Sequence, residues 1–288
     1  MPDGESPCAA SLPAQTSTIR NQSMPVTLIT RPENSRTGTK RKSLAERVIK
    51  HFASSLSCRM LCFLDDQDAS VVRLDRGAAN RGFYLPVDEN VPLNWLPEYV
   101  TSRVYVDDGV SMFFPRVVDE LIYLHGTTCA DDVGLVLTLA HELQHAVQHG
   151  KARNIWAVNT LVTGLDRKII TKLNLSWSDI PIELDARLVS KRVAEGLFGA
   201  KLVCAHIDKK IAEQITEADA AEWTFMKALD PATSVDVASA TQSLFWRLKD
   251  YRSELEAVLE EVKNSSDYNC ITLDCFFGTD GRQNVQMA

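Results

Sequence analysis

The residues best equipped for chemistry stand together at His141-Glu142-Leu143-Gln144-His145. Residues four apart share one face of a helix, so both imidazoles can reach a single zinc ion. Glu142 falls beside that face without ligating, where it can take a proton from a water activated by the metal. The preceding run, Val133-Gly-Leu-Val-Leu-Thr-Leu-Ala140, is apolar nearly all round, which places the helix expected over 131–149 in the interior. A buried helix is a rigid mount for a metal site, and two unshared imidazoles there would be costly. The plainer alternative, a surface helix with unconnected histidines, fits that lead-in poorly.

A catalytic zinc takes three protein ligands and keeps a fourth position open. His149 continues the series 141, 145, 149, yet at ~1.5 Å rise per residue it lies about 12 Å from His141 along an unbroken helix. It reads instead as a last-turn residue favoured by the helix dipole. A better third ligand lies 38 residues past His145, in Asp179-Ile-Pro-Ile-Glu183-Leu-Asp185-Ala186-Arg187. This segment opens a helix expected over 181–198, with Asp179 as N-cap and Pro181 at its start. Glu183 and Ala186 share a face, and the small Ala186 would let this helix approach the histidine helix. Asp185 points elsewhere on the wheel and ranks second. A first-turn acid stabilising the helix dipole is the alternative role for Glu183.

With these residues in view, the chain resembles the gluzincin branch of the zincin metallopeptidases. It is similar to their minimal form, as in ImmA/IrrE-type peptidases, where the second helix reads Glu-x-x-Ala followed by a polar residue. The resemblance spans about 70 residues, from Leu121 to Leu197. It implies His141, His145 and Glu183 as zinc ligands, Glu142 as catalytic base, and a small sheet ahead of the motif helix. Some members carry an acid four residues after the ligand Glu, where this chain has Arg187. Tyr105, Tyr123 and Arg187 are eligible to stabilise an oxyanion. His125 reads as a capping or surface residue, and His206 as structural.

These side chains need a scaffold. Short runs at Arg59–Leu64, Ser70–Leu74, Gly82–Val87, Ser102–Val106 and Ser111–Phe114, parted by turn-forming clusters, predict strands of a small antiparallel or mixed sheet. From Val117 onward the period is helical, with segments near 117–125, 131–149, 152–173, 181–198, 207–229 and 234–263. The fold expected is α+β and zincin-like, a small sheet packed against a mainly helical subdomain. Residues 1–42, rich in Ser, Thr and Pro with scattered basic residues, read as a disordered arm. A capping box at Ser43-Leu-Ala-Glu46 is then the start of order. The domain expected is 43–263, its sheet part 43–115 and its helical part 116–263, followed by a loose tail over 264–288.

Charge narrows the partners. Residues 1–50 carry a net charge of +4 and the remainder −11, so the acidic body disfavours nucleic acid. A membrane span is not expected, because no run reaches the ~18 apolar residues it requires. No secretory signal is legible in the first thirty residues, so the expectation is a cytoplasmic protein, or one translocated by a non-classical route through the arm. The seven cysteines form no CxxC pair and read as reduced thiols. The function these features predict is zinc-dependent hydrolysis of a peptide or protein substrate. The rival readings are a non-catalytic, zinc-stabilised helical binding module and a helical scaffold with no metal.

Overall fold

The computed structural model describes residues 26–31, 35–56, 58–66, 82–87, 98–104, 118–165, 167–214, 217–264, 268 and 271–277. Strands β1 (Val26–Thr30), β2 (Met60–Leu64), β3 (Gly82–Pro86) and β4 (Glu120–Leu124) form one mixed sheet in the order β1-β2-β4-β3. β1, β2 and β4 run parallel, while β3 lies antiparallel to β4 at the edge. The two central strands, Met-Leu-Cys-Phe-Leu and Glu-Leu-Ile-Tyr-Leu, are buried throughout, as strands covered on both faces must be. Their side chains alternate between two cores. Met60, Cys62, Leu64, Ile122 and Leu124 join the main one, and Leu61, Phe63, Leu121 and Tyr123 join a smaller one.

The fold begins earlier than composition suggests. β1 lies inside the segment expected as an arm, and helix α1 (Arg36–Phe52) starts seven residues ahead of Ser43. Its cap is Ser35, whose hydroxyl accepts from the Gly38 amide at 2.9 Å. Ser43 and Glu46, expected as a capping box, are exposed positions within the helix. A five-residue strand held by main-chain pairing to β2 leaves little mark on the average composition of 42 residues, which is why it was not legible.

Two further expectations are corrected. The segment near 117–125, read as helical, contains β4; a short apolar run suits either element, and pairing to β2 and β3 on its two sides decides it. Residues 102–104, read as the start of a strand, belong to helix α2 (Glu98–Val104), whose Val100 and Val104 are buried one turn apart. The strands expected at Ser70–Leu74 and Ser111–Phe114 lie outside the described residues.

Helices then follow in close succession: α3 (Gly126–Cys129), α4 (Asp132–Lys151), α5 (Arg153–Thr163), α6 (Arg167–Lys172), α7 (Pro181–Phe198), α8 (Ala200–Glu213), α9 (Glu217–Ala228), α10 (Val237–Arg247), α11 (Arg252–Val262) and α12 (Asp274–Phe277). Three long spans expected as single helices are broken. The first breaks at Gly164, where a Cβ would lie 2.7 Å from Val258 of α11, so only glycine admits that approach. The last breaks at a tight turn over Lys249–Tyr251. The tail is also partly folded, since the Phe276 ring packs at a tilt against Phe245 with ring centres 5.2 Å apart.

Candidate metal centre

α4 is fixed at its start by Asp131, whose carboxylate accepts from the Gly134 amide at 2.8 Å. His206 of α8 holds the same carboxylate at 3.1 Å, the structural part expected of it. Leu135, Val136, Leu139, Ala140 and Leu143 are buried around this helix, so its side chains project from a fixed axis. α7 begins with Pro181, but its N-cap position is Ile180 and not Asp179. The Asp179 carboxylate instead turns back to the Ser176 amide at 2.7 Å and closes a capping box on the preceding turn. Ala186 is fully buried on α7, and the two helices pack along their length.

This packing brings together the side chains that sequence spacing singles out. The Nε2 atoms of His141 and His145 lie 3.0 Å apart. The Glu183 carboxylate meets them with one oxygen each, 3.2 Å from His141 and 3.3 Å from His145. Histidine, histidine and carboxylate donors, all within 4.8 Å of one another, form a group that could hold a metal ion. The donor set suits zinc, and three protein donors leave a fourth position open. His141 is the most exposed of the three, so the group opens toward solvent on its side.

The electrostatics follow from packing a carboxylate against two imidazoles. Burial alone would raise the Glu183 pKa, but His145 and His141, by charge and hydrogen bonding, hold it well below the usual carboxylate range. Burial likewise lowers His145, and Glu183, Glu142 and Gln148 together overcome it, carrying His145 up to about 9.

Behind the donors lies a layer that sequence reading missed. His145 Nδ1 meets Gln148 Oε1 at 2.9 Å. An amide oxygen can only accept, so Nδ1 carries a proton, and Nε2 is the nitrogen left to ligate a metal once its own proton is lost. Gln148 donates to the Ile182 carbonyl at 3.0 Å and to the Asp185 carboxylate at 2.8 Å. Gln144 donates to that same carboxylate at 2.7 Å. Asp185 therefore does face α4, contrary to the helical-wheel reading, and it grips the two glutamines rather than joining the donor group. The available signal was spacing: Gln144 and Gln148 each follow a motif histidine by three residues.

Glu142 is buried beside the histidines, and burial raises its pKa although both imidazoles pull it down. Its carboxylate accepts a hydrogen bond from the Tyr84 main chain of β3, which ties the edge strand to the site. His149 stays out of the donor group. Its Nδ1 meets the Tyr84 hydroxyl at 2.8 Å, and that hydroxyl donates to Glu120 at 3.0 Å.

Of the eligible oxyanion partners, Tyr123 points to the other face of the sheet, where its hydroxyl donates to Asp65 at 2.5 Å. Arg187 is tied to Ser178 at 2.5 Å and Glu222 at 2.9 Å. Tyr105 lies outside the described residues. His125 holds the N-cap position of α3 without a side-chain capping bond and sits edge-on to Tyr123.

Compared with protein families, curated proteins and solved structures, the chain matches none. No helix among the described residues is long and apolar enough to cross a membrane.

Proposed function

We propose that this chain is a zinc-dependent metallopeptidase with a zincin-like fold. The observation that carries the reading is the convergence of His141, His145 and Glu183 within 3.0–3.3 Å, with a buried carboxylate one residue after the first histidine. His141, His145 and Glu183 would hold the ion, which would acidify water and polarise a peptide carbonyl. Glu142 takes the proton of the attacking water and passes it to the leaving amine. Its raised proton affinity brings it nearer the neutral range where such a shuttle works best. Gln148 keeps His145 in the tautomer that can ligate, and Asp185 keeps Gln148 in place. β3 is an edge strand beside Glu142, and extended peptides add to such edges through main-chain hydrogen bonds.

A non-catalytic zinc-stabilised module would have no use for Glu142, and it normally closes the fourth position with a protein ligand. The test is Glu142→Gln, which keeps shape and removes the base. We expect it to retain zinc and thermal stability while cleavage of a diverse peptide library falls by several orders of magnitude. Equal cleavage by the variant, or cleavage by neither protein with zinc bound, would refute the enzymatic reading.

A further inference from the structure

The basic residues near the start of the chain have a place in the fold. α1 carries Arg36, Lys40, Arg41, Lys42, Arg47 and Lys50 against a single acid, Glu46, whereas the chain beyond residue 50 carries a net −11. Arg36, Lys40 and Arg47 fall on one stripe of the helix and line a cleft of about 580 Å³ between α1, the start of α4 and the end of α7. Leu44 and Phe198 supply its apolar part, and Thr39 and Ser43 its hydroxyls.

Among the described residues Arg36 and Arg47 make no ion pair, while Lys40 reaches Asp132 at 2.5 Å. Both members of that pair are well exposed, and such pairs are weak enough for an incoming carboxylate to displace. Two uncompensated guanidiniums offer the planar double donors that carboxylates fit best.

We propose that this cleft docks an acidic peptide segment of a partner protein. The stripe from Arg36 to Arg47 is about 16 Å long at ~1.5 Å per residue, room for about five residues of extended chain. Basic groups interleaved with Leu44 and Phe198 fit a segment alternating acidic and apolar side chains. A long polyanion or an anionic bilayer would meet the acidic remainder of the surface as well, and its repulsion disfavours both. The cleft sits at the opening turn of α4, whereas His141 lies about 13 Å further along that helix. The cleft and the donor group thus share no residue, and the two readings can be tested apart.

The test is fluorescence anisotropy with a labelled peptide of alternating Glu and Leu, titrated with the full chain. A Lys-for-Glu peptide, single-stranded DNA and phosphatidylserine vesicles serve as the other probes. The Glu peptide should bind the wild type and Glu142→Gln equally, more weakly as salt rises, and more tightly than the other three probes. Arg36→Glu with Arg47→Glu should weaken it at least tenfold, and Arg36→Gln with Arg47→Gln by a smaller factor. Both positions are exposed, so matching melting curves will verify the fold. Unchanged affinity in the doubly substituted chains would overturn the proposal. So would tighter binding of DNA or vesicles, or no binding of the Glu peptide by the wild type.

Discussion

Glu183 does two things to His145: it sets a carboxylate oxygen beside the ring and, together with Glu142 and Gln148, it carries the imidazole pKa up to about 9. The ordinary histidine value is near ~6.5, so the folded pKa is raised. The stabilisation it brings to the metal-free fold is complete below about 6.5 and is lost as pH climbs through 9. For Glu183 the folded pKa is depressed, so its contribution is present above the usual carboxylate pKa and is lost as pH falls below it. The chelator-treated protein should therefore melt at a lower temperature at pH 9 than at pH 6, and His145→Ala should flatten that difference. A metal must displace the same proton, so zinc affinity should rise about tenfold per pH unit between pH 7 and 9; a flat profile in competition titrations would count against a protonated His145.

The layer behind the ligands yields a graded series. Glu183→Ala, His141→Ala and His145→Ala should each nearly abolish zinc binding, whereas His149→Ala should leave it almost unchanged. Gln148→Ala and Asp185→Ala should weaken it by roughly 10–100-fold at unchanged stoichiometry. The two motif histidines and Glu183 were legible because helical spacing fixes faces. The part played by Asp185 was not, because a wheel describes one helix and says nothing of how far Gln144 and Gln148 reach from the next.

At the scale of elements, α4 and α7 meet with Ala186 wholly buried. Ala186→Leu should cost ~1–3 kcal/mol and lower zinc affinity, because the added bulk pushes the Glu183 carboxylate away from the histidines. A melting curve and a zinc titration on the same variant check both effects, and unaltered affinity would show that the helix spacing is not what places the ligand. Both helices were legible, α4 from its buried period and α7 from Pro181 and its apolar face. β1 and the opening turns of α1 were not, because the short run Val-Thr-Leu-Ile-Thr is lost in the average of a segment rich in Ser, Thr and Pro. A chain beginning at Ser43 loses β1, the Ser35 cap and two turns of α1. Its melting temperature should fall by ~10 °C or more relative to a chain beginning just before Val26. Equal stability of the two would mean that β1 adds nothing to the sheet.

At the scale of the whole molecule, the described residues form a small mixed sheet with α1 and α4 packed against it, α7 packed on α4, and a run of further helices. The α+β class was readable from strand-like runs that give way to a helical period, although the switch falls after β4 and not at residue 117. The sheet order was not, since strand pairing joins residues far apart in the chain and local pattern carries no record of it. The charge asymmetry was readable as a number, but its meaning depends on α1 being folded, which turns scattered lysines and arginines into one surface. What unites these scales is the claim that two helices were brought together to place three donors around one ion beside a base. Anomalous diffraction at the zinc edge, from crystals grown with stoichiometric zinc, tests it most directly. The account predicts one strong peak about 2.1 Å from both histidine Nε2 atoms and from a Glu183 oxygen. A peak bound by Asp185 or His149, or no peak between α4 and α7, would contradict it.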